Sequence, residues 1–199
     1  MPVEIIQRVQ GKAESLIEEF MLLANECVAA HMQKNGLGCV YRIHEKPARE
    51  DIARLEELAT NLGIKWRAGN SPEPRAFQRL IELSEDIPAK ALLQTSALRT
   101  MTKARYSEKP IGHFGLALRD YCHFTSPIRR YPDLLVHRLL HFSFDGRADS
   151  GSCHKLQQEL PERAAACSAC ELNAAAAERE ADNLLKCAHM LIHVGDEFA

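Results

Sequence analysis

From residue 154 to residue 189 the sequence holds one helix breaker, Pro161, and its middle is the block RAAACSACELNAAAAEREADNLLKC. Alanine enters a helix with no side-chain entropy to lose, and Leu, Glu, Lys and Arg lose little, so a run of this composition has few alternatives to an α-helix. The segment reads as one long helix with Pro161 as the place for a kink, because a proline there removes an N–H and crowds the preceding turn. Any fold for this chain has to accommodate that rod.

The rest of the sequence supplies shorter partners. Over residues 11–33, Leu16, Ile17, Phe20, Leu23, Ala24, Cys27 and Val28 recur at steps of three and four, one apolar face of a helix that Gly36 and Gly38 end. CVYRIHE, from Cys39, is short and β-prone, and Pro47 closes it. A helix over 49–62 carries Ile52, Leu55, Leu58 and Leu62 and stops at Gly63; the polar, proline-rich loop GNSPEP follows from Gly69. Two further helices are expected over 73–85 and 88–105. The period then changes, and GHFGLAL (112–118) and YCHF (121–124), flanking Arg119 and Asp120, read as a hairpin or two neighbouring strands. A helix begins near Pro127, and the linker FDGRADSGS separates it from the long alanine-rich one. The expected class is α/β of the α+β kind, mostly helical, with a few mainly antiparallel strands.

With 46% hydrophobic and 26% charged residues among 199, the chain can bury a core, and a formal net charge of −2 excludes a protein that coats nucleic acid nonspecifically while leaving room for a local basic channel. The seven cysteines are odd in number and scattered through helical segments, which argues against a disulfide framework and for a reducing compartment. No apolar run approaches the length of a membrane span, and the amino terminus lacks the basic and apolar regions of a secretory signal. The expectation is a cytoplasmic protein without a membrane partner.

The stretch richest in chemistry is YCHFTSPIRRYPDLLVHRLL, residues 121–140. A helix start offers unpaired N–H groups and a partial positive charge; Thr125 or Ser126 can cap it, Pro127 fits its first turn, and Arg129 and Arg130 add planar forks suited to phosphate oxygens. An anion site is one reading. The other is that Arg130 simply pairs with Asp133 or a neighbouring carboxylate, since adjacent helical residues point about 100° apart.

Beyond local chemistry, GHFGLALRDYCHFTSPIRRYPDLLVHR closely resembles the signature of the ribonuclease II / ribonuclease R family of processive 3′-to-5′ exoribonucleases. IEEFMLLANECVAAH (17–31), YRIHEKP (41–47), the Pro-Glu-Pro-Arg loop (72–75) and LLQTSALRTMTKARY (92–106) resemble, in the same order, segments of that family's catalytic domain, and the likeness favours the ribonuclease R branch. It implies an RNB-type domain that cuts single-stranded RNA from its 3′ end, releasing nucleoside 5′-monophosphates. By the same resemblance, Arg129 holds and polarises the scissile phosphate and Glu178, in AAAEREAD, is the site glutamate, with Glu180 as runner-up; Ser126, Arg130, Tyr131 and Arg119 are the expected RNA contacts.

The resemblance also implies Mg²⁺ in the complete enzyme, as in two-metal phosphodiester hydrolysis, with ligands from clustered aspartates. Asp51, Asp86, Asp120, Asp133, Asp145, Asp149, Asp182 and Asp196 do not form such a cluster, so the Mg²⁺ ligands are expected to be absent from this chain. Residues 1–192 thus resemble the carboxyl-terminal part of the catalytic domain, missing its amino-terminal half as a partner, and 193–199 the truncated first strand of an OB-fold RNA-binding domain. Little activity is expected of the chain alone, and missing partners should leave apolar surface uncovered. Two other readings stand beside this one. Cys153, His154, Cys167 and Cys170 could form a zinc module, although a Cys pair at i and i+3 in a helix is more simply a packed stripe. Alternatively, the chain is a non-catalytic RNA-binding or interaction module, with Arg99, Lys103, Arg105, Arg119 and Arg138 along a groove and Tyr121, Phe124 or Tyr131 stacking on bases.

Overall fold

The computed structural model describes residue 6, residues 9–69 and residues 72–197. Its helices are α1 (Lys12–Lys34), α2 (Arg49–Asn61), α3 (Pro74–Leu83), α4 (Lys90–Thr100), α5 (Tyr131–Phe144), α6 (Gly151–Gln158) and α7 (Leu160–Met190). Two short strands, β1 (Tyr41–Ile43) and β2 (Arg105–Ser107), pair antiparallel with Tyr41 opposite Ser107. The protein is mostly helical with a small antiparallel sheet, the expected class.

Glycine stops work as the sequence suggests. At the end of α1, Gly36 (φ 65°) donates its N–H to Gln33 O and the Leu37 N–H reaches back to Met32 O; at the end of α2, Gly63 (φ 81°) and Ile64 repeat the pattern on Thr60 and Ala59. Both are Schellman motifs, whose left-handed residue is cheap only for glycine.

Two cores result. One gathers Ala29 and Met32 of α1, Cys39 to Ile43 around β1, Tyr106, Cys122, Leu135, Val136 and Leu139 of α5, and Leu160 and Ala164 of α7. The other is built by α2, α3 and α4 with Trp66 and Phe114, where Phe77 meets both Trp66 and Phe114 edge-on at 5.7 and 5.8 Å. His44 fastens them together: one ring nitrogen bonds Thr102 O at 2.7 Å and the other accepts the Gly115 N–H at 2.8 Å.

Several elements differ from the sequence expectation. The helix expected over 88–105 stops at Thr100, because Arg105 to Ser107 are claimed by pairing with β1 and Thr102 bonds Glu45 O through its hydroxyl. GHFGLAL forms no strand: it is a 3₁₀ turn (Phe114–Leu116) capped by His113 Nδ1 and followed by Ala117 at φ 56°, with isolated bridges at His113 and Cys122. Pro161 divides the long helix outright into α6 and α7, since it cannot donate to the carbonyl one turn back and fits only a first turn.

The apolar face of α1 is also only half used. Asn25, Ala29 and Met32 are buried, whereas Leu16, Ile17, Phe20 and Leu23 are each more than half exposed. Of the strand expected over 193–198, the described residues 193–197 hold the end of a 3₁₀ turn (Leu191–His193) and a bend closed by His193 and Asp196; Phe198 lies outside the described residues.

Candidate nucleic-acid site

The Ser-Pro turn is not the start of a helix. Pro132 has no N–H to give the carbonyl one turn back, so α5 begins only at Tyr131, with Arg130 as its N-cap and Pro132 in its first turn. Residues 126–130 form a turn in which Ser126 O accepts the N–H groups of both Arg129 and Arg130. Ser126 therefore contributes its backbone, not a side-chain cap.

Asp133 holds this turn. Its carboxylate is fully buried, and one oxygen accepts the Ser126 N–H at 2.8 Å together with Nε and Nη2 of Arg130 at 3.2 and 3.0 Å. The guanidinium of Arg129, exposed beside it, takes part in no hydrogen bond or ion pair among the described residues.

Arg129 faces a cleft of roughly 450 Å³ whose other wall is α7. Tyr106, Tyr131 and Pro132 line it with Arg129 and Arg130, and Arg163, Cys167, Cys170, Glu171 and Ala174 of α7 close it. Tyr131 is braced from across the cleft by Arg163, which contacts its hydroxyl, lies 5.9 Å from its ring and pairs with Glu159 at 2.7 Å. Beneath, the Tyr106 backbone N–H donates to Ser168 Oγ at 2.9 Å, and Arg42 lies 4.7 Å over the Tyr106 ring while pairing with Glu171 at 2.5 Å.

The Tyr106–His123 pair behind the cleft is uncharged. Burial pushes the Tyr106 hydroxyl up to about 12, with Arg42 opposing, and burial together with Arg130 and Arg42 drives His123 down to about 3. The 2.9 Å contact between them is thus a Tyr106 O–H donating to a neutral His123 Nδ1. His113, lowered by burial and by His44 to about 4, is likewise neutral. His137 bonds Phe124 O at 2.9 Å and stacks on the Phe124 ring. These histidines are structural.

Glu178 is exposed on α7, four residues beyond Ala174. At 100° per residue it continues the stripe of Arg163, Cys167, Cys170 and Ala174, one turn past the cleft, whereas Glu180 is turned about 110° away from the centre of that stripe. Arg119 sits elsewhere: it is 90% exposed and lines a second groove with His44, Lys46, Gly112 and His113. So the structure brings Arg129, Arg130 and Tyr131 to one cleft, sets Glu178 at its end and leaves Arg119 apart. Sequence reasoning missed Tyr106, Arg42 and Arg163. Arg163 could have been found from the stripe; Tyr106 could not, because it falls just past the helix expected over 88–105, where no strand was expected.

Among the described residues there is no group of three His, Cys, Asp or Glu placed to hold a metal ion. Cys153 is buried in the core and Cys167 and Cys170 line the cleft, and the four residues of the zinc reading form no metal-holding group among the described residues. No helix among the described residues is long and apolar enough to cross a membrane.

The RNB domain model matches residues 1–145. Ribonuclease R 1 of Lactococcus lactis is 42% identical over the whole of this chain, which covers 24% of that protein. Among solved structures, RNase R of Mycoplasma genitalium in complex with ribose-methylated single-stranded RNA aligns with a TM-score of 0.86 and 32% identity over 92% of this chain and 29% of that one. The same protein in complex with double-stranded RNA gives 0.90 and 31% over 95% and 34%. The chain spans about a quarter of the length of the curated relatives it matches.

Proposed function

Because the chain belongs to the RNB domain family, we propose that it is the carboxyl-terminal part of the catalytic domain of a ribonuclease R-type exoribonuclease, which removes nucleoside 5′-monophosphates from the 3′ end of single-stranded RNA. The observation that carries this reading is the unpaired guanidinium of Arg129, held by a braced turn at the rim of a largely apolar cleft. A planar fork there takes two non-bridging oxygens of one phosphodiester and offsets the charge that grows on them during in-line attack. Tyr131, fixed by Arg163, offers a face on which a base can stack, and Glu178 adds an acceptor at the cleft's end. Arg119 and its separate groove suit a contact with RNA away from the cleft.

Mg²⁺ belongs to this chemistry, but the described residues do not fit it: the one fully buried carboxylate near the turn, Asp133, is committed to Arg130 and Ser126. The chain alone is therefore proposed to bind RNA and not to cut it. Incubating the purified chain with end-labelled single-stranded RNA and Mg²⁺ should leave the RNA intact, while binding should weaken with salt and with Arg129→Ala. Processive shortening of the RNA would refute the inactivity, and binding indifferent to both salt and Arg129 would refute the site.

A further inference from the structure

Two adjacent arginines occupy the turn, and they are in opposite electrostatic situations. Arg130 gives two N–H groups to Asp133 Oδ2 at 3.2 and 3.0 Å, and the same oxygen takes the Ser126 N–H at 2.8 Å. The other Asp133 oxygen is buried with no hydrogen-bond partner among the described residues, so a single atom ties the beginning of the turn to its end and to Arg130. Arg129 lines the same cleft with its charge uncompensated.

We propose that Asp133 is a positioning residue that decides which arginine of the turn meets the RNA: it neutralises and immobilises Arg130, leaving Arg129 as the free fork of the two. The inference rests on the reading of Arg129 as a phosphate ligand. A phosphate drawing Arg130 away would strand a fully buried carboxylate without its counter-ion, which a low-dielectric interior penalises heavily. Engaging Arg129 strands nothing. Asp133 can hold this position because it lies in the first turn of α5, where the helix dipole favours a negative charge, and its carboxylate bonds backward to the turn.

The test counts phosphates. For single strands each neutralised phosphate adds about 0.7 to the slope of log K against log salt, so binding of a fluorescein-labelled oligoadenylate to the 199-residue chain is measured across a salt series. Arg129→Ala should lower the slope by about 0.7. Asp133→Asn keeps an oxygen for the Ser126 N–H but releases Arg130, so the slope should rise by about 0.7. The double variant R130A/D133N, which removes both charges together, should return to the native slope. An unchanged slope in D133N, or a double variant that falls below the native slope, overturns the proposal. An Arg129→Ala chain that binds like the native one removes the phosphate reading of Arg129, while the D133N result still judges Asp133. Nitrogen-15 NMR of the arginine Nε–H groups in the native chain decides the same point without RNA or a variant. Slow exchange at Arg130 and fast exchange at Arg129 are expected; fast exchange at both would overturn the clamp.

Discussion

The two halves of α7 have similar composition and different fates. In the first, Leu160 and Ala164 are buried, Ser168 accepts the Tyr106 N–H and Glu171 pairs with Arg42. In the second, Leu184 and Leu185 are each more than half exposed, and Glu178 is exposed as well. The first half is held by what it touches; the second is helical because alanine, leucine and glutamate prefer it. Propensity decides that a helix forms, and packing decides which part of it carries the fold.

Leu160→Ala against Leu184→Ala gives the largest contrast. Removing the Leu160 side chain from a 2% exposed site should cost about 2–4 kcal/mol. The same change at Leu184, 72% exposed, should stay within about 0.5 kcal/mol in urea unfolding. Comparable losses would mean that the far half is covered in solution.

Acid should loosen the docked half next, through His123, which bonds the Tyr106 hydroxyl while the Tyr106 N–H bonds Ser168 of α7. His123 has its ordinary value of 6.5 when unfolded and about 3 when folded, so below 6.5 the unfolded chain binds the extra proton. Stability is then greatest above pH 6.5 and falls as pH drops toward 3, by up to about 1.4 kcal/mol per pH unit. Unfolding measured between pH 7.5 and 5 should slope this way in the native chain and flatten in His123→Gln. Ser168→Ala, which strands the Tyr106 N–H, should cost about 1–2 kcal/mol. The smallest global effect is expected from Ala175→Gly: far-UV circular dichroism should lose helix, locally about 1 kcal/mol, while the unfolding midpoint stays put. A shifted midpoint would break the comparison.

What could be read from the sequence followed the same division. α7, α2 and the glycine ends of α1 and α2 were legible because their signals are local. β2 was not, because Arg105 to Ser107 become a strand only through β1, and the preceding helical pattern masked the change. The turn at Arg129 was placed on a helix because Pro127 suits a first turn as well as Pro132 does; the chain chose the later proline. At the site, Arg129 and the pairing of Arg130 with Asp133 were both in view from residue chemistry, whereas Tyr106 and Arg42 join them only through the pairing of two strands more than sixty residues apart in the chain.

The little sheet has a kinetic side. Everything between Ile43 and Arg105, including α2, α3, α4 and Trp66 of the second core but not its Phe114, is one excursion whose ends are fastened by three residue pairs. Closing so long a flexible loop before its contents are ordered is entropically slow, whereas closing it around a collapsed α2–α4 cluster brings the ends together at little further cost. The α2–α4 unit is thus placed to fold first and the sheet to follow, and since Tyr106 lies in the sheet and lines the cleft beside Arg129, that cleft would be among the last parts of the chain to exist.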